Sequence, residues 1–357
     1  YELVIRDWSS DVCSSDLAWM DEGDSDGESV TFGELWRRAT AMGAELQKKG
    51  LSGSRVLLLF QLEGLEFVMA FWACIVAGAI AVPTYPPDPQ RMNRSLPRFI
   101  SIVKDCECKT VLTTREILEL MELVSDELPA EFKELEMIAT DDIDPKSSTS
   151  SSTTTTWKDP ELTEENVAFL QYTSGSTGSP KGVMVTHGSL LFNVLSIMTV
   201  SQIHDRTSIC AWLPLFHDMG LIGVVCTFLF AGSVAFLMSP IAFIKKPFRW
   251  LKVISDKRTE ISVAPNFAFD LCVRKVTDEM MAKLDLSCLR QLLSGAEPVR
   301  PETVKSFIDK FSKCGFLAKS FKPVYGLAEA TLIVSGHPTG KEPPQIVQFT
   351  KSGLEKG

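Results

Sequence analysis

The residues best suited to chemistry form a run of small and hydroxyl side chains from Thr173 to Gly182. Its glycines let the backbone turn and approach a ligand closely. Its hydroxyl and backbone N–H groups can form an anion-binding nest, to which Lys181 adds a positive charge. The segment therefore predicts a cradle for a triphosphate, formed by Thr173, Ser174, Gly175, Ser176, Thr177, Gly178 and Lys181.

Other phosphate-loop and nucleophile patterns do not fit this segment. A Walker A loop would need glycine at Pro180 and a hydroxyl residue at Gly182. No serine has the flanking glycines of a GxSxG elbow, and an SxxK motif would need serine at Gly178. A flexible loop without a ligand is the plain alternative. Against it, the apolar strand Val167–Tyr172 is expected to lead into the segment, and a Pro-Lys-Gly end is not a linker pattern.

Three more segments follow in order: Leu213–Gly220, Leu293–Pro298 and Tyr325–Thr331. Together with Tyr172–Val183 they resemble the motifs of the adenylate-forming superfamily, which includes acyl-CoA synthetases, peptide-synthetase adenylation domains and luciferases. The resemblance covers roughly Ser29–Gly336, which is nearly all of the chain apart from its two ends.

Within that superfamily, the details resemble the fatty acyl-AMP ligase branch. The matching segments are Val82–Pro87, Phe216–Ile222 and Ala264–Leu271, together with Tyr325–Thr331. Coenzyme-A ligases more often carry threonine where Ala328 stands. On this resemblance, residues 337–357 would begin the insertion that marks the branch.

The resemblance implies that a fatty carboxylate attacks the α-phosphate of ATP and releases pyrophosphate. Lys181, Thr177 and Glu329 would be the catalytic residues. Glu329 would also bind Mg²⁺, which neutralises phosphate charge. Tyr325 would stack on adenine. The other nucleotide-binding residues would be Gly295, Ala296, Glu297, Gly326, Leu327 and Ala328.

The acyl side of the site is implied in the same way. His217 would shape the mouth of the acyl pocket without transferring a proton, although a lone histidine beside a strand is usually a packed core residue. Phe269 is a further possible wall of the tunnel, with ordinary core packing as the alternative. The expected substrate-binding residues are His217, Asp218, Met219, Asn266 and Phe267.

The branch resemblance implies a fatty acid substrate and an acyl carrier protein with a phosphopantetheine arm as partner. Three alternatives stay open: a coenzyme-A ligase, an amino-acid adenylation domain and a non-catalytic adenylate-like binding module. The ribose-binding segment of relatives, the C-terminal lid domain and its catalytic lysine have no counterpart in this sequence, and Pro323 stands where relatives often have a polar adenine contact. We therefore expect a fragment with weak activity or none.

Composition narrows the class of protein. The 357 residues include 36 basic and 45 acidic side chains, a net charge of −9, which argues against nucleic-acid or anionic-membrane binding. Two apolar stretches could be mistaken for membrane spans. Phe67–Val82 is too short to span a bilayer, and Met219–Met238 is interrupted at Gly232. We therefore expect that the protein is not an integral membrane protein. The nine cysteines, mostly in apolar stretches, indicate free thiols in a reducing cytoplasm.

The elements that must position these motifs alternate as strand, helix and strand, for example Arg55–Phe60, Glu66–Ala77 and Ala79–Val82. Thr31 is expected to cap a helix, with Glu34 completing a capping box. This order predicts an α/β fold with two doubly wound parallel-sheet subdomains and no C-terminal lid domain. The expected division is a non-native leader (1–17), a first subdomain (18–146), a Ser/Thr loop (147–156), a second subdomain with the ATP site (157–336) and the start of a truncated insertion (337–357).

Overall fold

The computed structural model describes residues 17–21, 25–87, 92–123, 130–143, 156–173, 180–337, 339–340 and 342–350. The expected leader up to residue 16 and the Ser/Thr loop from 147 to 155 lie outside these residues. Leu17, the last residue of the expected leader, is buried and pairs with Val30 in a strand. Leu17 is therefore part of the folded chain.

The strands are four to seven residues long. They are β1 (Leu17–Asp21), β2 (Ser25–Val30), β3 (Arg55–Leu59), β4 (Ile80–Thr84), β5 (Thr110–Thr113), β6 (Glu136–Ala139), β7 (Val167–Thr173), β8 (Lys181–Thr186), β9 (Ser208–Ala211), β10 (Val234–Leu237), β11 (Ile261–Ala264), β12 (Gln291–Ser294), β13 (Phe321–Gly326) and β14 (Ile333–Gly336).

Helices alternate with these strands. They are α1 (Phe32–Lys48), α2 (Glu66–Ala77), α3 (Met92–Cys106), α4 (Arg115–Leu123), α5 (Ala130–Lys133), α6 (His187–Ser201), α7 (Asp218–Gly220), α8 (Thr227–Ala231), α9 (Pro240–Lys245), α10 (Phe248–Lys257), α11 (Asn266–Lys275), α12 (Asp278–Met281) and α13 (Pro301–Phe311). A π-helical segment, Leu221–Cys226, joins α7 to α8. Among the described helices, none is both long and apolar enough to cross a membrane.

Within the described residues the strands form two sheets. One has the order β14-β13-β12-β11-β9-β10-β1-β2, and the other has the order β6-β5-β3-β4-β7-β8. Their interior pairs are parallel, whereas the edge pairs β1–β2, β13–β14 and β7–β8 are antiparallel. The expected α/β architecture is confirmed, with the difference that both sheets are mixed.

Sheet membership does not follow chain order. The first two strands join the sheet built from the second half of the chain, because β1 pairs with β10. The pair β7–β8 returns to the sheet of the first half, because β7 pairs with β4. Each sheet therefore needs strands from both sides of the expected boundary near residue 150, and the domain bounds themselves stay a prediction.

Local signals fix the first long helix. The Thr31 hydroxyl accepts a hydrogen bond from the Glu34 backbone N–H at 3.1 Å, which satisfies one free donor of the first turn. The Glu34 carboxylate binds the Arg38 guanidinium at 2.8 Å, one helical turn along, and completes no capping box. The N-cap prediction is thus confirmed, and the second half of the predicted box is replaced by an ion pair.

Aromatic rings fill the larger sheet's core. Phe269 packs against Phe307 and Phe321, with ring centroids 5.2 and 5.0 Å apart. Trp212 stacks on Phe243 at 3.9 Å and 6° between the planes. Edge-to-face and offset ring contacts add to the free energy of burial. Phe269 is accordingly a core residue and not a tunnel wall.

The thiols are buried as the composition suggested. All described cysteines are free, and each is buried except the half-buried Cys288. Burial raises the pKa of the Cys74, Cys210 and Cys226 thiols well above the ordinary range, because the thiolate would lose its hydration. These cysteines behave as small apolar side chains of the core.

We expect Phe307→Ala to lower the free energy of unfolding by about 3–5 kcal/mol, because it leaves a cavity among packed rings. Phe307 has no exposed surface, whereas Phe192 is 74% exposed and provides the matched control. Phe192→Ala should change the free energy of unfolding by no more than about 0.5 kcal/mol. Equilibrium urea unfolding of both variants measures the difference, and equal losses would contradict this packing.

Candidate functional site

A cavity of about 630 Å³ lies along β9, β11, β12 and β13 and reaches their carboxyl ends. These neighbouring strands are parallel, so the loops that follow them meet at one edge of the sheet. Polar and backbone groups of Thr173, His217, Gly295 and Glu329 lie at its mouth. Its interior, between the sheet and α6, is lined mainly by isoleucine and valine.

A second cavity of about 360 Å³ lies beside the first. Thr173, His217 and Asp218 line both cavities and therefore stand between them. Next to this wall, the Gln171 amide donates to the Phe216 carbonyl at 3.0 Å. Gln171 belongs to the smaller sheet and Phe216 to the loop after β9, so this bond ties the two sheets together at the mouth.

Two paired antiparallel strands flank the predicted phosphate cradle. Thr173 at the end of β7 pairs with Lys181 at the start of β8. Thr173 lies at the mouth of the cavity, and the Lys181 side chain is exposed. Outside the described residues lie Ser174, Gly175, Ser176, Thr177 and Gly178. The structure thus fixes both ends of the predicted loop.

Tyr172 anchors the base of this hairpin. Its hydroxyl donates a short hydrogen bond to the Asp105 carboxylate at the end of α3. Burial, together with the bond to Asp105, raises the pKa of the Tyr172 phenol, so it stays a neutral donor. Tyr172, the first residue of the Tyr172–Val183 motif, therefore has a structural role. Its partner Asp105 was not identified from the sequence.

His217 and Asp218 form a pair at the shared wall. The His217 Nδ1 atom lies 2.6 Å from the Asp218 carboxylate, which is 13% exposed, whereas the histidine side chain is 52% exposed. The hydrogen bond from Nδ1 to Asp218 raises the pKa of His217 and outweighs burial, which lowers it. Because Nδ1 is engaged by Asp218, Nε2 is the ring nitrogen left to face a ligand.

The glycine that closes this motif has a steric role. A Cβ atom on Gly220 would lie 2.2 Å from the Pro214 carbonyl oxygen. No other residue type permits this contact. The short turn that it allows brings Asp218 and Met219 to the cavity, where both are lining residues.

The segment after β12 divides between two roles. Gly295 and Ala296 line the cavity, and Ala296 adopts a positive φ of 65°, an uncommon conformation for alanine. The Glu297 carboxylate accepts a hydrogen bond at 2.6 Å from the Phe267 backbone N–H, at the first turn of α11. Glu297 thus stabilises a helix end and does not line the cavity.

The turn after β13 brings Tyr325 and Glu329 to the mouth. Tyr325 is 61% exposed, and it lines the cavity together with Gly326, Leu327 and Ala328. A Cβ atom on Gly326 would lie 2.1 Å from the Leu332 carbonyl oxygen, so only glycine allows the chain to double back here. Leu327 donates to the same carbonyl at 2.9 Å, which closes the turn around Glu329.

A buried asparagine of α6 holds this turn in place, and the sequence did not reveal it. The Asn193 amide donates to the carbonyls of Ala330 and Ile333 at 3.2 Å, and its oxygen accepts from the Ile333 N–H at 3.0 Å. Asn193 is 5% exposed. The available signal was an isolated amide in the middle of an apolar helix, because a buried amide needs partners.

Two residues expected to bind substrate lie elsewhere. The Asn266 amide oxygen accepts from the Arg300 N–H at 2.9 Å, and its nitrogen donates to the Thr303 hydroxyl at 3.2 Å. Phe267 is 42% exposed and contacts Trp212 edge-on. Neither Asn266 nor Phe267 lines the cavity, because the helix that they begin is directed toward α13. Their predicted contact with the substrate gains no support from this placement and stays a prediction.

The mouth can hold a hard cation beside phosphate groups. Glu329 offers a carboxylate and Thr173 a hydroxyl, and both line the same cavity. Mg²⁺ prefers such oxygen ligands and commonly combines one or two carboxylates with substrate phosphates and water. The residues present therefore fit a magnesium–nucleotide complex.

Several known proteins are similar to this chain in sequence. A medium-chain-fatty-acid–[acyl-carrier-protein] ligase of Moorena producens is 39% identical over 339 residues, which cover 95% of this chain and 56% of the relative. A long-chain-fatty-acid–AMP ligase of Mycobacterium tuberculosis is 36% identical over 346 residues, covering 94% and 57% respectively. The chain thus spans a little over half the length of these relatives.

A solved structure matches in three dimensions. The fatty acyl-adenylate ligase of L. pneumophila, crystallised with acyl adenylate and pyrophosphate, superposes with a TM-score of 0.85 at 38% identity. The match covers 95% of this chain and 57% of that chain. The sequence profile of the AMP-binding enzymes matches residues 11–351. The chain therefore belongs to the AMP-binding enzyme family.

Proposed function

We propose that this chain is the nucleotide- and acyl-binding part of an enzyme that converts a medium- or long-chain fatty acid and ATP into acyl-AMP and pyrophosphate. The acyl group would then pass to the phosphopantetheine thiol of an acyl carrier protein. The observation that carries this proposal is a single cavity with a polar mouth at Thr173, His217 and Glu329 and an apolar interior behind it. An amphipathic acid that must meet a nucleotide needs both.

In the proposed reaction an oxygen of the fatty carboxylate attacks the α-phosphorus, and the bond from that phosphorus to the bridging oxygen of pyrophosphate breaks. Because a carboxylate is already ionised at neutral pH, no general base is required. The barrier comes from bringing an anion to a polyanion, so positioning and charge neutralisation carry the catalysis. Lys181 and the hairpin after Thr173 would hold the departing phosphates.

Glu329 and Thr173 would hold Mg²⁺ at the mouth. The cation, when bound, neutralises charge on the phosphate oxygens. Asn193 keeps Glu329 in position through three hydrogen bonds to its turn. Tyr325 and the backbone of Gly295 and Ala296 are proposed to contact the adenine base.

His217 is proposed to orient the acyl carboxylate and not to move a proton. Asp218 engages Nδ1, and the ring stands between the two cavities. A rigid ring at this wall would hold the head of the substrate toward the nucleotide.

Other observations support the proposed acceptor and compartment. The Moorena producens relative is named a ligase of acyl carrier protein, which supports a carrier-protein thiol as the acceptor. Free buried cysteines support a reducing compartment such as the cytoplasm. The net charge of −9 gives no support to nucleic-acid binding.

The full-length protein of this reading frame should form acyl-AMP from a fatty acid, ATP and Mg²⁺, and the acyl-AMP should persist when coenzyme A is added. Mass spectrometry of the products, with and without coenzyme A and a phosphopantetheinylated carrier protein, is the test. Acyl-coenzyme A as the product would reassign the acceptor. A folded protein that yields neither product would support the binding-module alternative.

Glu329→Gln and Lys181→Ala should each reduce the rate of acyl-AMP formation at least tenfold, about 1.4 kcal/mol in transition-state stabilisation. Each removes a charge expected to act on phosphate or Mg²⁺. Glu302→Gln and Lys305→Ala, on the exposed face of α13, are matched controls. Rates within twofold of the wild type for both site variants would contradict the assignment.

Asp218→Asn should lower the pKa of His217, because the bond that raises it is lost while burial still lowers it. A raised pKa in the folded state adds stability below the unfolded-state pKa, and this stability is lost as the pH rises through the folded-state value. The variant should therefore be destabilised more at pH 5 than at pH 8. Histidine NMR titration and urea unfolding measure both effects, with Asp205→Asn as the control. An unchanged His217 titration would contradict the pairing.

A further inference from the structure

We propose that the closed end of the cavity limits the acyl chain to about ten to twelve carbons, and that Ile203 and the turn at Ser201 form the floor that sets this limit. This inference rests on the proposed function and narrows its substrate class. The residues that carry it lie in successive layers along the parallel strands.

The layers follow from the strand register. Ile209 and Ile261 are paired in one layer at the amino-terminal end of their strands, beside Ser201 and Ile203. Val263 pairs with Leu293 in the next layer, two residues closer to the mouth. Residues of both layers line the cavity, which therefore runs along the strands from floor to mouth.

The depth can be measured in strand residues. Gln291 pairs with Ile261 in the floor layer, and Gly295 at the mouth is four residues further along the chain, about 13 Å. Four extended residues contain about twelve backbone bonds, so an extended alkyl chain needs roughly ten to twelve carbons to cover the same distance.

Helix α6 gives a second measure of the same depth. Asn193 binds the turn of Glu329 at the mouth, Ile197 lines the wall and Ser201 lies at the floor. These residues are four apart and share one face of the helix. Eight residues of α-helix span about 12 Å, in agreement with the strands.

Hydrogen bonds from β12 and the residue before it stabilise the turn that forms the proposed floor. The Gln291 amide donates to the Ser201 carbonyl at 2.6 Å, and the Arg290 guanidinium donates to the carbonyls of Ser201 and Gln202 at 2.9 Å. Arg290 is in turn paired with Glu260 at 2.8 Å. These bonds satisfy carbonyls at the end of α6, where a helix has no partners of its own. A longer acyl chain cannot displace this turn without breaking them.

Gly223, in the π-helical segment, lines the side wall. A Cβ atom there would lie 3.1 Å from the Leu332 Cδ2 atom, and both residues line the cavity. A branched side chain at this position would project into the path between mouth and floor. Gly223 and Ile203 thus give variants with opposite expected effects.

The test measures chain-length preference in two ways on the full-length protein. Saturated fatty acids of 6 to 18 carbons are titrated calorimetrically without ATP, and acyl-AMP formation is measured for the same series. We expect both to be greatest at about ten to twelve carbons and to fall at least tenfold by sixteen. Ile203→Ala should extend the preferred length, and Gly223→Val should shorten it, with Gly223→Ala as the milder variant.

Ile254→Ala is the matched control, because Ile254 is fully buried in α10 and does not line the cavity. It should leave the preferred length unchanged. Acyl-AMP formation that is equal from ten to eighteen carbons would overturn the floor alone and leave the proposed function intact. An Ile203→Ala profile identical to that of the wild type would do the same. Length-dependent binding without acyl-AMP would support the floor and overturn the proposed function.

Discussion

The common direction of the parallel strands is the constraint on which the site depends. Because β9, β11, β12 and β13 all end at one edge, loops far apart in sequence meet there. His217, Gly295 and Glu329 each follow one of these strands, and Thr173 arrives from the other sheet. The Gln171–Phe216 hydrogen bond then fixes one sheet edge against the other. Without that alignment the motifs would be separate turns with no shared cavity.

The sequence predicted elements better than it predicted their partners. The pattern of Glu66–Ala77 gave α2 with the observed bounds, because an apolar helix between a strand and Gly78 is a local signal. Nothing local indicates that β1 pairs with β10, more than two hundred residues away, or that β7 pairs with β4. Strand β8 was not predicted for a related reason, because it is held by its antiparallel pairing with β7.

Two glycines of the predicted site motifs have a steric reason in the structure. At Gly220 and Gly326 a carbonyl oxygen lies where a Cβ atom would be, so only glycine fits. A steric requirement of this kind restricts the residue type and can therefore be recognised in a sequence. Hydrogen bonds between side chains and backbone restrict the residue type less and are harder to recognise in a sequence. The side chains of Glu297 and Asn266 accept hydrogen bonds from backbone N–H groups at the starts of α11 and α13. Sequence spacing alone cannot distinguish this role from ligand binding.

Helix α6 joins the chemistry at the mouth to the packing at the floor. Its face carries an amide for the Glu329 turn, an aliphatic wall and a carbonyl end held by Arg290 and Gln291. A shift of this helix along its axis would move the turn that carries the proposed magnesium ligand and would also change the depth of the proposed acyl cavity. Packed interiors resist such shifts, because displaced side chains lose close contacts. On the proposed function, one rigid element would therefore set both the position of the reacting carboxylate and the space available for its alkyl tail.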